Sequence, residues 1–222
     1  MKISKQTYII WLDEVGRWPL AGPVTVGGVF CLPWFDINHY EWVNMITDSK
    51  KLTSVKREYL SQKLLSCSHI IYATSFVSAK YIDRHGIVAA ICKASLEVIE
   101  QIRIQANTLL GNSFDEKLQI LLDWKTDYGL RKNIPFPLKT IVKWDSLIRE
   151  IGAASIIAKV QRDEYMNSLS RKKKYLFYEF NRHKWYGTLF HRTAIAYYGL
   201  SDMHRASFCK NINVSSNWFH DH

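Results

Sequence analysis

The sequence predicts an α/β fold built on a central mixed β-sheet flanked by helices. Two strand-like segments open the chain, at residues 8–13 and 22–30, and both are rich in β-branched and aromatic residues. After them, segments with helical spacing of apolar residues alternate with short apolar runs, which is the order typical of α/β proteins. With 222 residues and 47% apolar content the chain can bury one sizeable core, so we expect a single domain over residues 1–222.

Local patterns indicate the individual elements. Glycine and proline separate the first two strands and favour a tight turn between them. Apolar residues at helical spacing, preceded by Thr53 as a candidate N-cap, predict a helix over residues 54–65. Further along we expect a strand at 69–77, a helix at 86–106, apolar runs at 117–123 and 138–145, a helix at 148–169 and a last helix near 188–198. We interpret roughly residues 165–222 as a helical C-terminal extension.

Charge and cysteine content narrow the function classes. Lys and Arg number 30 against 20 Asp and Glu, which gives a net charge of +10. Such a surplus favours a polyanionic partner such as nucleic acid, and a merely basic surface is the alternative. The four cysteines stand far apart without zinc-type spacing, which predicts reduced thiols in a cytoplasmic protein. Since no apolar stretch approaches the about 18 residues of a membrane span, we expect no membrane association.

Acidic residues follow three of the apolar runs. Asp13 ends the first predicted strand with Glu14 beside it, and Asp123 and Asp145 end two later runs. Taken singly, an aspartate after a strand is more often a helix cap or a turn residue. In α/β sheets, however, strand ends gather functional groups at one edge. Clustered carboxylates repel each other unless cations neutralise them, and a pair of Mg²⁺ or Mn²⁺ ions about 4 Å apart would do so and activate water for phosphodiester hydrolysis.

Seven motifs resemble, in order, those of the bacterial ribonuclease HII family, and the resemblance covers roughly residues 8–210. They are DEVGRWPLAGPV (13–24), DSKKLT (48–53), LLDWK (121–125), VKWDS (142–146), AASIIAKVQRD (153–163), KWYGT (184–188) and MHRASF (203–208). The resemblance implies a ribonuclease H-like fold and a metal-dependent endonuclease that cuts the RNA strand of RNA–DNA hybrids. It also implies cutting on the 5′ side of a ribonucleotide embedded in duplex DNA, which leaves a 3′-hydroxyl and a 5′-phosphate.

The resemblance assigns roles to particular residues. The catalytic carboxylates, which would bind two Mg²⁺ or Mn²⁺ ions, are Asp13, Glu14, Asp123 and Asp145. The turn formed by Gly16, Arg17 and Trp18 would present backbone groups to the ribonucleotide's 2′-hydroxyl, and Tyr186 would stack on its sugar. We expect the enzyme to act as a monomer on RNA–DNA hybrids or ribonucleotide-containing duplex DNA.

Basic residues of the motifs are candidates for phosphate contacts. The candidates are Lys50, Lys51, Lys159 and Arg162, and for each of them a solvated helix face is the alternative. The run at 171–174 is either a contact to the duplex backbone or an ordinary exposed charge run. We interpret His204 and Arg205 as residues that cap or pack the C-terminal helix.

The chain departs from the family pattern at five tryptophans. The family typically has glycine at the positions of Trp11, Trp18, Trp124, Trp144 and Trp185, whereas the neighbouring carboxylates are unchanged. Glycine is correspondingly scarce, with 10 of 222 residues, against a usual share of about 7%. Our hypothesis is that the gene uses a code in which UGA means glycine and that this sequence was translated with UGA as tryptophan. A genuine tryptophan buries up to about 250 Å² where a backbone should approach the substrate.

Two other classes stay open. A different two-metal nuclease on the same fold, junction-resolving or integrase-like, would share the acids but lack the glycine-arginine turn and the KWYGT segment. A nucleic-acid-binding protein without catalytic activity is the other class, and it applies if the tryptophans are genuine. A duplex carrying one ribonucleotide distinguishes a ribonuclease of this family from a junction nuclease, because the junction nuclease would not cut it.

The coding DNA tests the glycine hypothesis. We expect UGA codons at the five positions, because five of the eight tryptophans coincide with family glycines. Nucleotide sequencing is the measurement, and UGG codons at these positions would end the hypothesis.

Overall fold

The computed structural model describes residues 7–47, 49, 51–111, 113–141 and 148–212. Its five strands form one sheet in the order β3, β2, β1, β4, β5. The strands are β1 (Tyr8–Val15), β2 (Val24–Cys31), β3 (Ile70–Val77), β4 (Leu118–Asp123) and β5 (Leu138–Ile141). The pairs β1–β2 and β2–β3 are antiparallel, whereas β1–β4 and β4–β5 are parallel. The predicted mixed sheet is therefore confirmed.

Three of the six described helices lie close to where the apolar spacing predicts them. The six are α1 (Ser54–Leu65), α2 (Ala79–Leu110), α3 (Ser113–Glu116), α4 (Arg149–Ser170), α5 (Phe180–His183) and α6 (Leu189–Tyr198). The three that match the prediction are α1, α4 and α6. Short 3₁₀ helices cover Ile37–His39, Glu41–Met45, Leu130–Lys132, Lys173–Tyr178 and Ala206–Phe208. The side chain of Thr53 accepts a hydrogen bond from the Lys56 amide, which confirms the predicted N-cap of α1.

Helix α2 is longer than predicted because it continues across a break. The prediction began at Gly86, and the structure adds a first segment that is capped by Ser78. Gly86 itself has φ 83° and ψ 161°, values outside the helical region. Glycine adopts positive φ without a steric penalty, so it lets two helical segments meet at an angle.

Helices cover both faces of the sheet. Successive strand residues point to opposite faces, and β1 shows this alternation. Ile10 and Leu12 belong to a buried cluster with residues of α2, whereas Trp11 belongs to a cluster with residues of α1 and α4. The core therefore has two layers, one on each side of the sheet. Among the described residues, no helix is both long and apolar enough to cross a membrane.

Two adjacent glycines of β2 allow the helices to approach the sheet closely. A Cβ on Gly27 would lie 2.5 Å from the backbone oxygen of Ala154 in α4. On the other face, a Cβ on Gly28 would lie 2.4 Å from Cγ1 of Val98 in α2 and 2.9 Å from Cδ2 of Leu12. Neither position has room for a side chain unless its neighbours shift.

The chain after α4 packs against the end of that helix. Its cluster of buried residues contains Ala21, Met166, Leu169, Tyr175, Tyr178, Phe180, Trp185 and Ala194. Ala21 brings the β1–β2 connection into this cluster. Since α4 also packs on β1 and β2, the C-terminal segment is tied to the sheet through both contacts.

Replacing Gly27 or Gly28 by alanine tests which neighbouring helix, α4 or α2, is less able to shift and make room for a Cβ. We expect Gly27→Ala to lower the free energy of unfolding by about 2 kcal/mol, because backbone of α4 would have to shift. Gly28→Ala should cost less, because it meets the ends of side chains, which can rotate. Urea unfolding measures both values, and an equal or reversed order would contradict the expectation.

Candidate active site

Two of the predicted carboxylates lie side by side at one edge of the sheet. Leu12 of β1 pairs with Leu122 of the parallel strand β4, and Asp13 and Asp123 are the next residues of the two strands. Strand β5 continues the edge, because Ile141 pairs with Asp123. The carboxyl ends of parallel strands thus bring together residues that are far apart in the sequence. Asp145, the fourth predicted acid, lies outside the described residues.

Glu14 is the most strongly perturbed acid of this edge. Its Oε1 accepts a hydrogen bond of 3.3 Å from the Tyr128 hydroxyl, while its Oε2 is buried without a hydrogen-bond partner. Burial first, and the charge of Asp13 second, raise the pKa of this carboxyl well above its ordinary value. A cation would offset both effects.

The donor set at this edge fits a hard divalent ion. Carboxylate oxygens are the ligands that Mg²⁺ and Mn²⁺ prefer, and the buried Oε2 of Glu14 has an unused acceptor site. Strand alternation directs Asp13 and Asp123 to one face and Glu14 to the other. Within the part of the chain that the structure describes, no group of three or more His, Cys, Asp or Glu side chains is close enough to hold a metal.

The turn after β1 is supported from beneath by the buried side chain of Arg205. Its guanidinium donates to three backbone oxygens, those of Gly16 (2.6 Å), Arg17 (2.9 Å) and Gly22 (2.9 Å). Gly16 has φ 82°, and a Cβ there would lie 2.2 Å from Nε of Arg162. Both the conformation and the space therefore require glycine at position 16.

Two sequence-based assignments need correction here. Arg162, expected to hold a phosphate, is only 1% exposed and donates from Nε to the Pro23 oxygen at 3.1 Å. It therefore supports the turn from inside the protein. Arg205, expected to cap or pack a helix, fixes the same turn instead. Burial, and next the charge of Arg162, lower the pKa of Arg205 to about 9.

Arg17 connects the turn to the acidic edge. Its Nη1 donates a 2.6 Å hydrogen bond to the Tyr128 hydroxyl, which in turn donates to Glu14. Its guanidinium carbon lies 4.7 Å from the ring centre of Trp124 and 5.0 Å from that of Trp18. Tyr128 was not predicted from the sequence, because nothing in its local pattern indicates a contact with a residue 111 positions away.

Tyr186 lies next to the same turn. The Leu20 amide donates to the Trp185 oxygen at 3.0 Å, and a Cβ on Gly187 would be 3.0 Å from Cδ1 of Leu20. The Tyr186 side chain is 43% exposed. The structure thus brings the KWYGT segment beside the turn and leaves a tyrosine ring accessible there.

Trp185 occupies a backbone conformation that favours glycine. Its φ is 70°, its side chain is buried, and its ring lies 3.4 Å from that of Phe180, centre to centre. Positive φ costs a non-glycine residue about 1–2 kcal/mol. Trp11, Trp18 and Trp124 have no positive φ, so the backbone gives no such argument for them. Trp144 lies outside the described residues.

The candidate phosphate-binding lysines differ in environment. Lys51 is exposed. Lys159 forms a 2.6 Å ion pair with Asp163, and burial lowers its pKa. Lys50 lies outside the described residues. The run at 171–174 is exposed, and Lys174 pairs with Asp202.

A third buried arginine, whose role the sequence did not indicate, supports the loop before α1. Arg57 donates to the backbone oxygens of Ser49, at 2.9 Å, and of Leu52. The hydroxyl of Ser49 lies 2.8 Å from that of Ser155 in α4. These contacts fix the loop that carries Lys51 against the helix.

Removing the Arg205 side chain tests its structural role. We expect Arg205→Ala to lower the free energy of unfolding by about 3 kcal/mol, because three backbone oxygens lose their donor. Arg131→Ala is the control, since Arg131 donates to one backbone oxygen and is largely exposed. That change should cost no more than about 0.5 kcal/mol. Chemical denaturation measures both, and similar losses would contradict the role.

Comparison with known proteins identifies the family. The family model for ribonuclease HII matches residues 10–211. A ribonuclease HII of Dehalococcoides mccartyi is 36% identical over 208 residues, which cover 93% of this chain and 88% of the relative. The structure of ribonuclease H2 from Pyrococcus horikoshii OT3 matches with a TM-score of 0.65 at 23% identity, over 93% of this chain and 97% of that one. Bst-RNase HIII in complex with Mn²⁺ matches with a TM-score of 0.62 at 18% identity, over 86% and 61%. The chain belongs to the ribonuclease HII family and is a ribonuclease H with the ribonuclease H-like fold.

Proposed function

We propose that this ribonuclease cuts the RNA strand of RNA–DNA hybrids, and cuts on the 5′ side of a ribonucleotide embedded in duplex DNA. The products are a 3′-hydroxyl and a 5′-phosphate. The observation that carries the proposal is the hydrogen-bonded path from Arg17 through Tyr128 to Glu14, because it joins the turn to the acidic edge. Recognition of a ribonucleotide and hydrolysis beside it require these two parts to be adjacent.

The proposed metal ligands are the four acids Asp13, Glu14, Asp123 and Asp145. When bound, two divalent ions, Mg²⁺ or Mn²⁺, would activate water and stabilise the leaving oxygen. The adjacent positions of Asp13 and Asp123 and the unused acceptor of Glu14 support this assignment. The Mn²⁺ complex of Bst-RNase HIII, which shares the fold, is consistent with it.

The proposed recognition elements are the turn at Gly16, Arg17 and Trp18 and the ring of Tyr186. The 2′-hydroxyl distinguishes RNA from DNA, and backbone groups of a turn can reach it where no side chain intervenes. Arg205 occupies the inner side of this turn, which leaves its outer side for the substrate. The exposed Tyr186 ring would stack on the sugar.

The remaining parts of the proposal concern the whole protein. The protein acts as a monomer in the cytoplasm and does not associate with a membrane. It forms one domain over residues 1–222, with a helical extension from about residue 165. Its net charge of +10 attracts the polyanionic substrate. Lys50, Lys51 and Lys159 are the proposed phosphate contacts.

We also propose glycine as the natural residue at the five tryptophan positions. The positive φ of Trp185 supports this at position 185. At position 18 the side chain stands where the substrate would bind, because Trp18 is 67% exposed on the proposed recognition turn. A glycine there would leave the backbone accessible to the 2′-hydroxyl.

A labelled DNA duplex with one ribonucleotide tests the proposed function. In Mg²⁺ or Mn²⁺ we expect one cut, 5′ of the ribonucleotide. Asp13→Asn and Asp123→Asn should lower kcat about 100-fold or more, since even outer-shell partners of a metal contribute about 10- to 100-fold. Gel analysis of product ends is the measurement.

The control is Asp36→Asn, which removes a charge from an exposed acid outside this edge and should leave the rate unchanged. Binding without metal and without any cut would favour the noncatalytic class. Cutting of a four-way junction in preference to the ribonucleotide would favour the junction nuclease.

A further inference from the structure

Three buried histidines lie beneath the segment that carries Tyr186. His191 and His204 are 0% and 4% exposed, and His183 is buried beside them. The rings of His183 and His191 are stacked, with centres 4.2 Å apart. Burying an imidazole nitrogen without a hydrogen-bond partner costs free energy, so the hydrogen bonds of His191 and His204 determine which nitrogen of each ring carries the proton.

The hydrogen bonds of His204 and His191 run in one defined direction. The Ser201 amide necessarily donates, so Nδ1 of His204, 2.9 Å away, is the acceptor. Nε2 of His204 therefore carries the proton and donates to Nε2 of His191, at 3.1 Å. His191 then carries its proton on Nδ1 and donates to the Tyr186 carbonyl oxygen, at 2.9 Å. Since both ends are backbone groups, only one pair of neutral tautomers satisfies the chain.

The path of hydrogen bonds from Ser201 ends on the backbone carbonyl of Tyr186. The same carbonyl also accepts from the Thr188 amide at 2.9 Å, and the Tyr186 amide donates to the His183 oxygen at 3.0 Å. The backbone of Tyr186 is thus fixed from three sides, while its ring stays exposed. Fixing the backbone sets the direction of the Cα–Cβ bond and so limits the directions that the ring can take.

We propose that His191 and His204 are positioning residues, which orient the Tyr186 ring toward the substrate through this hydrogen-bonded chain. Neither histidine touches the substrate, because both are buried. The inference rests on the proposed stacking of Tyr186 on the ribonucleotide's sugar. We name the chain Ser201–His204–His191–Tyr186 the histidine relay.

The relay requires both histidines to be neutral. A proton on His204 Nδ1 would face the Ser201 amide, and one on His191 Nε2 would face the His204 donor. Burial first, and a neighbouring histidine among the further causes, lower the pKa of His191 to about 4 and of His204 to about 3. The titratable and charged groups that face the cluster are Tyr178, Glu179, Arg182, His183 and Asp202.

The sign of the pH dependence follows from these directions. An unfolded histidine titrates near pH 6.5, so below that pH the unfolded chain binds protons that the native cluster does not. The stability contributed by His191 and His204 is therefore complete above about pH 6.5 and decreases toward pH 4 and below. The relay stays assembled at neutral pH.

Nitrogen NMR of the full-length protein tests the relay without using activity. We expect His191 as the Nδ1–H tautomer and His204 as the Nε2–H tautomer at pH 7, both neutral. The opposite tautomer at either residue would overturn the relay.

A mutant cycle tests its effect on Tyr186. His191→Phe should raise KM for the ribonucleotide duplex about tenfold with a smaller change in kcat, since misplacing a substrate-positioning group is costly. His191→Asn should recover most of the loss, because its amide nitrogen replaces Nδ1 as the donor. In a Tyr186→Ala background, His191→Phe should have no further effect.

The remaining outcomes separate a failure of the relay from a failure of the proposed function. Effects of His191→Phe and Tyr186→Ala that simply multiply would overturn the relay and leave the proposed function intact. Equal losses in His191→Asn and His191→Phe would also overturn the relay and leave the proposed function intact. If His191→Phe fails to fold, His204→Gln takes its place in the same cycle with Tyr186→Ala. A wild-type protein that does not cut at the ribonucleotide would overturn the proposed function, and the role of the relay with it.

Discussion

The contact between the buried Arg205 guanidinium and three backbone oxygens is the constraint on which the site depends. It joins the C-terminal segment to the connection between β1 and β2, and two backbone hydrogen bonds reinforce the junction. The Gly22 amide donates to Met203, and the Arg205 amide donates to Leu20. Hydrogen bonds that involve a charged donor are about twice as strong as neutral ones. Three guanidinium and two backbone hydrogen bonds thus hold the connection between β1 and β2 in place.

Burying Arg205 beside Arg162 is unfavourable in itself, because each charge loses its water and repels the other. The backbone oxygens compensate only if they stay in place. The arrangement therefore favours one geometry of the turn over its alternatives, and a site that must recognise one hydroxyl group benefits from such rigidity. The two arginines come from motifs that are far apart in the sequence, yet both donate to backbone oxygens of the connection between β1 and β2.

The sequence was sufficient to predict the elements and part of the site. Periodicity located the strands and the long helices, since burial of one face imposes a repeat that local residues show. It also placed Asp13 and Asp123 at strand ends, and parallel pairing makes them neighbours. Tyr128 and the role of Arg205 escaped prediction, because they depend on long-range hydrogen bonds that leave no local pattern. Arg162 was misassigned for a related reason: a basic residue on a helix looks the same in sequence whether its helix face is buried or exposed.

The tryptophans show where sequence and structure give different kinds of evidence. The sequence treats the five positions alike, whereas the structure separates the four that it describes by backbone conformation and burial. Trp185 has the positive φ that favours glycine, while Trp11 is buried in a strand where any residue can adopt the backbone. Trp124 packs against Arg17, so a glycine there would remove one of the aromatic rings around that guanidinium. The hydrogen bond from Arg17 to Tyr128 does not involve Trp124, so it would still connect the turn to Glu14.

The order of residues along β1 gives the site a fixed dimension. Glu14 and Gly16 are separated by one residue, and consecutive Cα atoms lie about 3.8 Å apart. Under the proposed function, the distance between the metal-binding oxygens and the group that contacts the 2′-hydroxyl is therefore set by two peptide units. Long-range packing can tilt this segment but cannot lengthen it. The position of the cut relative to the ribonucleotide would then follow from the covalent chain, while Arg205 and the histidine relay determine only how well the two recognition elements are aligned with it.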